Sequence, residues 1–167
     1  MIVLVCILAI IAILGITLHY HLKGENIPFK STTGNFDLPV VHLYSKGKKL
    51  NFIVDTGASN SLLDINSLGK LEDVEKIETD NCTLYGIDGK PVNVEYVSAT
   101  LHVGKTTFRE EFQVTEIPAI QAIKTLEDMD ISGFLGSSFL RKHKANIDFD
   151  SHTIKLPKKL FLMITKR

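Results

Sequence analysis

The chain has 167 residues, and its 19 Lys and Arg residues balance its 19 Asp and Glu residues. This balance argues against a dedicated nucleic-acid binder, because such proteins carry a strongly basic surface. Residues 1–22 contain no Asp, Glu, Lys or Arg, so every charged side chain lies in residues 23–167. That remainder is long enough for one globular domain and short for two.

The first 22 residues are the most apolar stretch of the chain, with 18 hydrophobic side chains. Between Ile2 and Leu18, only Gly15 and Thr17 fall outside the apolar set. In a helix that rises 1.5 Å per residue, about 20 such residues cross a hydrocarbon core of about 30 Å. The pattern predicts a single-pass transmembrane helix over residues 1–22.

The flanks of this stretch refine the prediction. A cleaved signal peptide is the alternative, but the stretch has neither a charged start nor a small-residue cleavage site after Leu18. Lys23 and Lys30 follow the stretch, and the positive-inside rule then favours a cytosolic domain. We therefore expect an uncleaved membrane anchor with the domain on the cytosolic side.

Short segments flank the central domain. Residues 23–35 contain Gly, Pro, Ser and Thr and are predicted to be a linker. Residues 157–167 are predicted to be a basic C-terminal tail, which we interpret as a solvated end. Cys82 is the only thiol after residue 22, so no disulfide is expected within the domain.

The central part of the chain has the pattern of short β-strands rich in Val, Phe, Tyr and Thr, separated by glycine-containing turns. The predicted strands are Phe36–Tyr44, Lys49–Val54, Val92–Val103 and Thr107–Thr115. Residues 116–131 combine helical composition with the polarity of a loop. One short helix is predicted over Ser137–His143, with Ser137 or Ser138 as its N-cap. The predicted fold class is all-β with one short helix.

An aspartate, Asp55, follows an apolar strand in the run Phe52–Ser59. A carboxylate at the end of a buried strand needs polar partners. We expect Gly57 to allow a close backbone approach, and the hydroxyls of Thr56 and Ser59 and the N–H groups of the turn to donate to Asp55. Such a turn would hold the acid in one position and control its proton.

Two later features accompany this aspartate. About 80 residues further on, an apolar run over residues 131–135 is closed by Gly136. Between the two lies a glycine-containing turn typical of a β-hairpin. Its residues are Tyr85, Gly86, Ile87, Asp88 and Gly89. The order and spacing of the three features are more specific than any one of them.

Taken together, these features resemble the retropepsin-like aspartic proteases, in which one chain supplies one lobe. The resemblance covers residues 36–156, the predicted protease domain. The segment 133–156 is similar to cellular and bacterial members rather than to the compact viral ones. The resemblance implies a closed acid-protease β-barrel lobe with one short helix, here preceded by the predicted transmembrane helix.

The resemblance also implies roles for individual residues. Asp55 matches the catalytic aspartate, Thr56 the residue whose hydroxyl locks two active-site loops together, and Gly57 the residue that permits their close contact. The remaining support of the active-site loop would come from Ala58, Ser59 and Gly136. The flap over the substrate would be formed by Tyr85, Gly86, Ile87, Asp88 and Gly89.

Aspartic proteolysis requires two carboxylates that share one proton. Only one D-T-G triplet is present, at residues 55–57, so the second Asp55 is expected from another copy of the chain. The prediction is a membrane-anchored aspartic endopeptidase that acts on protein or peptide substrates as a homodimer. No metal or dinucleotide pattern stands out, and we predict no cofactor, no metal and no nucleic-acid partner.

Two alternatives remain open on the sequence. The same β fold can serve as a non-catalytic, membrane-tethered module for peptide binding or dimerisation. The domain can also be a protease that processes only itself or a neighbour in the membrane. Its oligomeric state and its activity on a generic substrate distinguish these possibilities.

Overall fold

The structure is a computed structural model that describes residues 7–16, 24–32, 37–79, 83–85, 89 and 91–157. The first strands are β1 Glu25–Ser31, β2 Pro39–Ser45, β3 Lys48–Val54, β4 Leu62–Asp64, β5 Glu72–Ile77 and β6 Thr83–Tyr85. The later strands are β7 Pro91–Asn93, β8 Glu95–Val103, β9 Thr106–Thr115, β10 Ile131–Leu135, β11 Asn146–Asp148 and β12 Thr153–Leu156. The helices are α1 over residues 7–16, α2 Pro118–Glu127, α3 Ser137–Lys142 and a 3-10 helix over Ile65–Lys70.

Six of the strands close into a barrel. The order of neighbouring strands is β2, β3, β10, β4, β9 and β8, and the pairing of Tyr44 with His102 joins β8 back to β2. β5 extends the sheet beyond β8, while β1, β12 and β11 extend it beyond β2. The prediction of a mostly-β closed barrel is confirmed.

Two hydrophobic clusters lie on opposite faces of the same strands, because successive side chains of a strand alternate in direction. The larger cluster is formed by side chains such as Val41, Leu43 and Phe52. The smaller cluster contains Val40 and Ile53 of the alternate positions. Helix α2 covers this smaller cluster with its apolar side chains, Ile120 and Ile123 among them.

Charged and polar side chains hold the segment after α2 in place. Asp130 accepts a hydrogen bond of 2.8 Å from Lys70, and Lys124 of α2 lies 3.5 Å from the same carboxylate. The hydrogen bond from Lys70 is the main reason that the pKa of Asp130 is lowered. The backbone oxygen of Asp130 also accepts from the Asn51 side chain at 2.7 Å. This network joins α2 to β3 and to the 3-10 helix.

Three local predictions need correction. Residues 25–31 of the predicted linker form β1, which pairs with β12 and β2. Residues 116–131 contain α2, so α3 is not the only helix of the domain. The predicted strand over Val92–Val103 is divided at Val94 into β7 and β8. One partner of β1, the strand β12, lies far away in the chain, and local sequence does not reveal it.

The predicted single-pass membrane localisation is wrong. Among the described residues, no helix has the length and apolar character needed to cross a membrane. Helix α1 covers residues 7–16. The other positions of the predicted anchor, residues 1–6 and 17–22, lie outside the described residues.

Candidate active site

Asp55 lies directly after β3, where the chain leaves the barrel. The three residues before it, Phe52 to Val54, are buried, whereas Asp55 itself is half-buried. Its backbone N–H donates to the carbonyl oxygen of Leu135 at 3.0 Å, which continues the parallel pairing of β3 with β10. The end of a buried strand therefore fixes the backbone that carries this carboxylate.

The turn after β3 folds back on the Asp55 side chain. The backbone N–H of Gly57 donates to Oδ1 of Asp55 at 2.8 Å, and the N–H of Ala58 donates to the Asp55 carbonyl oxygen at 3.3 Å. The prediction that the turn's backbone donates to this carboxylate is confirmed. In the described part of the chain, the group that donates to the Asp55 carboxylate is the Gly57 amide. Thr56 and Ser59, whose hydroxyls were also predicted to donate, are exposed.

Helix α3 holds the turn from the other side. The N–H groups of Ser137 and Ser138 donate to the carbonyl oxygens of Ala58 and Ser59, at 2.8 and 3.0 Å. The hydroxyl of Ser137 donates to the carbonyl oxygen of Thr56 at 2.8 Å. The predicted capping role is therefore wrong: Gly136 is the N-cap residue, and no side chain caps α3. The serine hydroxyl binds the active-site turn instead.

Gly136 sits where these two segments cross. A Cβ at this position would lie 2.4 Å from the Asn60 carbonyl oxygen and 2.9 Å from that of Ala58. Such distances are well inside van der Waals contact, so only glycine fits here. Gly133 has the same constraint, since its Cβ would lie 2.1 Å from the Leu62 oxygen. The sequence motif indicated Gly136 but not Gly133.

The predicted flap residues fall at a hairpin formed by β6 and β7. Tyr85 ends β6 and is paired with Pro91, and Gly89 has a φ of 71°. Gly86, Ile87 and Asp88 lie outside the described residues. The two strands form a sheet of their own, separate from the barrel sheet. The structure thus contains a hairpin at the predicted place, and its function as a flap stays a prediction.

Sequence reasoning missed a group of polar residues behind the turn. Ser61 and Glu110 are buried and joined by a hydrogen bond of 3.2 Å between Oγ and Oε1. They are 49 positions apart, and β9 brings them together by pairing with β4. A cavity of about 150 Å³ lies on the same side and is lined by residues that include Asn60, Glu110 and Ser138. In the described part of the chain, no group of three or more His, Cys, Asp or Glu side chains is arranged to hold a metal ion.

A family model described as retroviral aspartyl protease matches residues 36–148 of this chain. The chain belongs to this family. The match contains Asp55, Gly136 and the whole hairpin of β6 and β7. The family predicted from the sequence motifs is therefore confirmed.

Two solved structures are similar to this chain. The EIAV protease complexed with the inhibitor HBY-793 superposes with a TM-score of 0.50 at 20% sequence identity, over 70% of this chain and 98% of that one. A retropepsin-like aspartic protease from Rickettsia conorii is 21% identical, with a TM-score of 0.46 over 81% of this chain and 93% of that one.

One curated protein is also similar in sequence. The chitinase Chi52 of Paenibacillus xylanexedens is 25% identical to this chain over 100 residues, which is 60% of this chain and 19% of the chitinase. The chain thus spans about a fifth of the length of that relative.

Proposed function

We propose that this chain is an aspartic endopeptidase whose active site is completed by a second copy of itself. Membership of the retroviral aspartyl protease family supports this class of reaction. The setting of Asp55 supports its role most directly. The residue is half-exposed, its backbone N–H is bonded to β10, and its carboxylate accepts the Gly57 N–H of the following turn. A general acid or base needs a carboxylate that is both fixed and accessible.

The homodimer follows from the number of carboxylates that the chemistry requires. Two carboxylates must share one proton, and the sequence contains one D-T-G triplet. We infer that Asp55 of each protomer meets its counterpart at a two-fold axis. Thr56 and Gly57 are exposed beside Asp55 and line the surface that the second copy must approach. The Thr56 hydroxyl would then bond to the partner's turn, and Gly57 would leave room for it.

The proposed reaction is hydrolysis by an activated water molecule. The ionised carboxylate of the dyad takes a proton from water, and the water oxygen attacks the carbonyl carbon of the scissile bond. The protonated carboxylate gives its proton to the carbonyl oxygen, which produces a tetrahedral diol. The first carboxyl then protonates the amide nitrogen while the second recovers a proton from the diol, so the C–N bond breaks and the dyad returns to its starting state.

The hairpin of β6 and β7 is proposed as the flap over the bound peptide. Thr83 and Pro91–Asn93 of this hairpin are exposed, and its strands pair with each other outside the barrel sheet. A peptide substrate needs such a cover, because closure excludes bulk water from the tetrahedral intermediate. Tyr85 and Gly89 flank the proposed tip.

Asp55→Asn tests the proposal. The purified full chain is incubated with a mixture of unstructured peptides from acidic to neutral pH, and new termini are identified by mass spectrometry. Asn keeps an acceptor for the Gly57 N–H but cannot take the proton from water. We expect cleavage to fall on the order of a thousandfold, while the unfolding temperature stays at the wild-type value.

Asp128→Asn provides the matched control, because Asp128 is exposed and has a left-handed φ of 49° that Asn tolerates. This variant should cleave like wild type. Cleavage retained by Asp55→Asn would contradict the proposal. A wild-type chain that stays monomeric at every concentration in sedimentation, and cleaves no peptide, would favour the non-catalytic binding module instead.

A further inference from the structure

Glu110 is a buried carboxylate that the proposed chemistry does not use. It lies in β9 and is 2% exposed. Its Oε2 atom is 3.2 Å from Nζ of Lys142 and 3.6 Å from Nε2 of His143, at the C-terminal end of α3. Burial of an ionised carboxylate is costly unless charged or hydrogen-bonding partners compensate for it. Such a group needs a reason to lie behind the active-site turn.

Ser61 connects Glu110 to the active site. Its hydroxyl donates to Oε1 of Glu110 at 3.2 Å and accepts the backbone N–H of Gly136 at 3.3 Å. Ser61 is fully buried, and its carbonyl oxygen accepts the Gln113 N–H at 2.9 Å. A hydroxyl has one proton and two lone pairs. When Glu110 accepts the proton, a lone pair is directed at the Gly136 amide.

Gly136 is in turn the junction of the active-site supports. The residue before it, Leu135, accepts the Asp55 N–H, and the two residues after it donate to the turn. A displacement of Gly136 would therefore also displace the backbone of Asp55, through Leu135, and that of Ala58, through Ser137. Small displacements of this kind are expensive, since misplacing a catalytic group by 1 Å can cost about a hundredfold in rate.

We propose that Glu110 is a positioning residue for the catalytic aspartate, acting through Ser61. Lys142 balances its charge, Glu110 orients the Ser61 hydroxyl, and the hydroxyl holds the Gly136 amide. The inference rests on the proposed function, because it assigns Glu110 a part in the same reaction. It adds a residue that contributes to turnover without touching the substrate.

Glu110→Gln reverses the hydrogen bond between residue 110 and the Ser61 hydroxyl. The single amide oxygen is drawn to the ammonium group of Lys142, so the amide nitrogen faces Ser61 and the hydroxyl must accept a hydrogen bond from it. One lone pair then serves the new amide and the other serves Gly136, so the hydroxyl proton loses the Glu110 acceptor that held the hydroxyl in place. We expect kcat to fall about tenfold, with KM within about twofold of wild type.

The experiment measures kcat and KM on a cleaved peptide for Glu110→Gln, Ser61→Ala and the double variant. If Glu110 acts only through Ser61, the kcat of the double variant is no lower than that of Ser61→Ala alone. Ser61→Thr keeps the hydroxyl and should restore kcat to within about twofold of wild type. Glu111→Gln makes the same chemical change on the exposed side of β9 and serves as the matched control.

Amide hydrogen exchange gives a readout that does not depend on activity. The amide of Gly136 should exchange faster in Glu110→Gln than in wild type, and Glu111→Gln should leave it unchanged. If Glu110→Gln does not fold, Lys142→Gln replaces it, because this side chain is 40% exposed and its loss leaves Ser61 and Glu110 in place. The Lys142→Gln variant should lower kcat in the same direction by a smaller factor.

Two results would overturn the inference. One is a Glu110→Gln chain with wild-type kcat and wild-type exchange at Gly136. The other is additive loss in the double variant with no rescue by Ser61→Thr, which would indicate a general effect on stability. Absence of any Asp55-dependent cleavage in wild type would instead refute the proposed function, and the exchange of the Gly136 amide would still decide whether Glu110 holds the turn.

Discussion

The active-site turn over residues 55–60 is joined by backbone hydrogen bonds to β10 and to α3. The hairpin of β6 and β7, in contrast, forms a two-stranded sheet whose described strands pair with each other. Residues Phe52–Val54, which lead into the turn, are buried, whereas Pro91–Asn93 of the hairpin are exposed. One region is held by the core of the barrel and the other stands outside it.

The difference matches the roles that we propose for the two regions. A catalytic carboxylate must keep one position, and hydrogen bonds from two separate segments provide this. A cover over a peptide must open and close, so it gains from having few contacts with the core. We therefore expect substitutions in the turn to change turnover and stability together, and substitutions in the hairpin to change substrate binding alone.

Gly136→Ala should have the largest effect. The added methyl would lie 2.4 Å from the Asn60 oxygen, which is backbone and cannot move aside. Overpacking of this kind costs about 1–3 kcal/mol or more, and the displaced turn should lower kcat about a hundredfold. Thermal unfolding and peptide cleavage measure the two effects. Gly69→Ala is the control, since a Cβ at Gly69 has no atom within 4 Å.

A Gly136→Ala chain with wild-type stability and wild-type kcat would contradict the account of the turn. Equal losses in Gly69→Ala would show that the effect comes from glycine replacement in general. The expected result for Gly69→Ala is a change in unfolding free energy below about 0.5 kcal/mol.

Gly89→Ala should have an intermediate effect that is confined to the hairpin. The φ of Gly89 is 71°, and a Cβ there meets no atom of the described residues within 4 Å, so the expected cost is conformational strain of about 1 kcal/mol. We expect KM to rise several-fold while kcat and the unfolding temperature stay close to wild type. Steady-state kinetics and calorimetry test this expectation.

Gly47→Ala is the matched control for the hairpin, because Gly47 has a φ of 70° and the same open surroundings. Gly47 lies in the turn between β2 and β3, two strands of the barrel. Its replacement should lower the unfolding temperature and leave KM unchanged. If the two variants behave alike, the hairpin is not energetically separate from the barrel.

Asp130→Asn should have the smallest effect and touches neither region. Because Lys70 lowers the pKa of Asp130 below its ordinary value of 3.8, the ionised form stabilises the fold. This stability is present above pH 3.8 and is lost as the pH falls through the lowered pKa. The carboxylate is 57% exposed, so screening limits the contribution to about 0.2–1 kcal/mol.

Urea unfolding followed from about pH 7 downward should therefore show a difference between wild type and Asp130→Asn that shrinks as the pH falls below 3.8. Kinetic constants near neutral pH should match wild type. A difference that persists in acid would mean that the side chain stabilises the fold by something other than its charge.

Local sequence was sufficient for the parts of the site that depend on neighbouring residues. The turn after β3, the glycine that closes β10 and the hairpin near residue 89 each have a short motif, because a strand end, a close approach and a tight turn restrict the residue types allowed. The membrane prediction from residues 1–22 was wrong: hydropathy indicated a span, but the described residues contain no helix long and apolar enough to cross a membrane.

Other features depended on contacts between distant positions. β1 is a strand because it pairs with β2 and β12, and its own sequence, which predicted a linker, does not indicate this pairing. Glu110 and Ser61 have no motif, and only the pairing of β4 with β9 brings them behind the turn. Gly133 was missed for the same reason, as its constraint comes from β4.

The sequence by itself determined the family, the barrel class and the turn that carries Asp55, because these follow from backbone restrictions and strand patterns within a few residues. Only the tertiary structure decided how that turn is held, by β10, α3 and the buried Glu110. The physical reason is that a carboxylate obtains its fixed position from hydrogen bonds across the fold, and those partners are chosen by strand pairing rather than by sequence proximity.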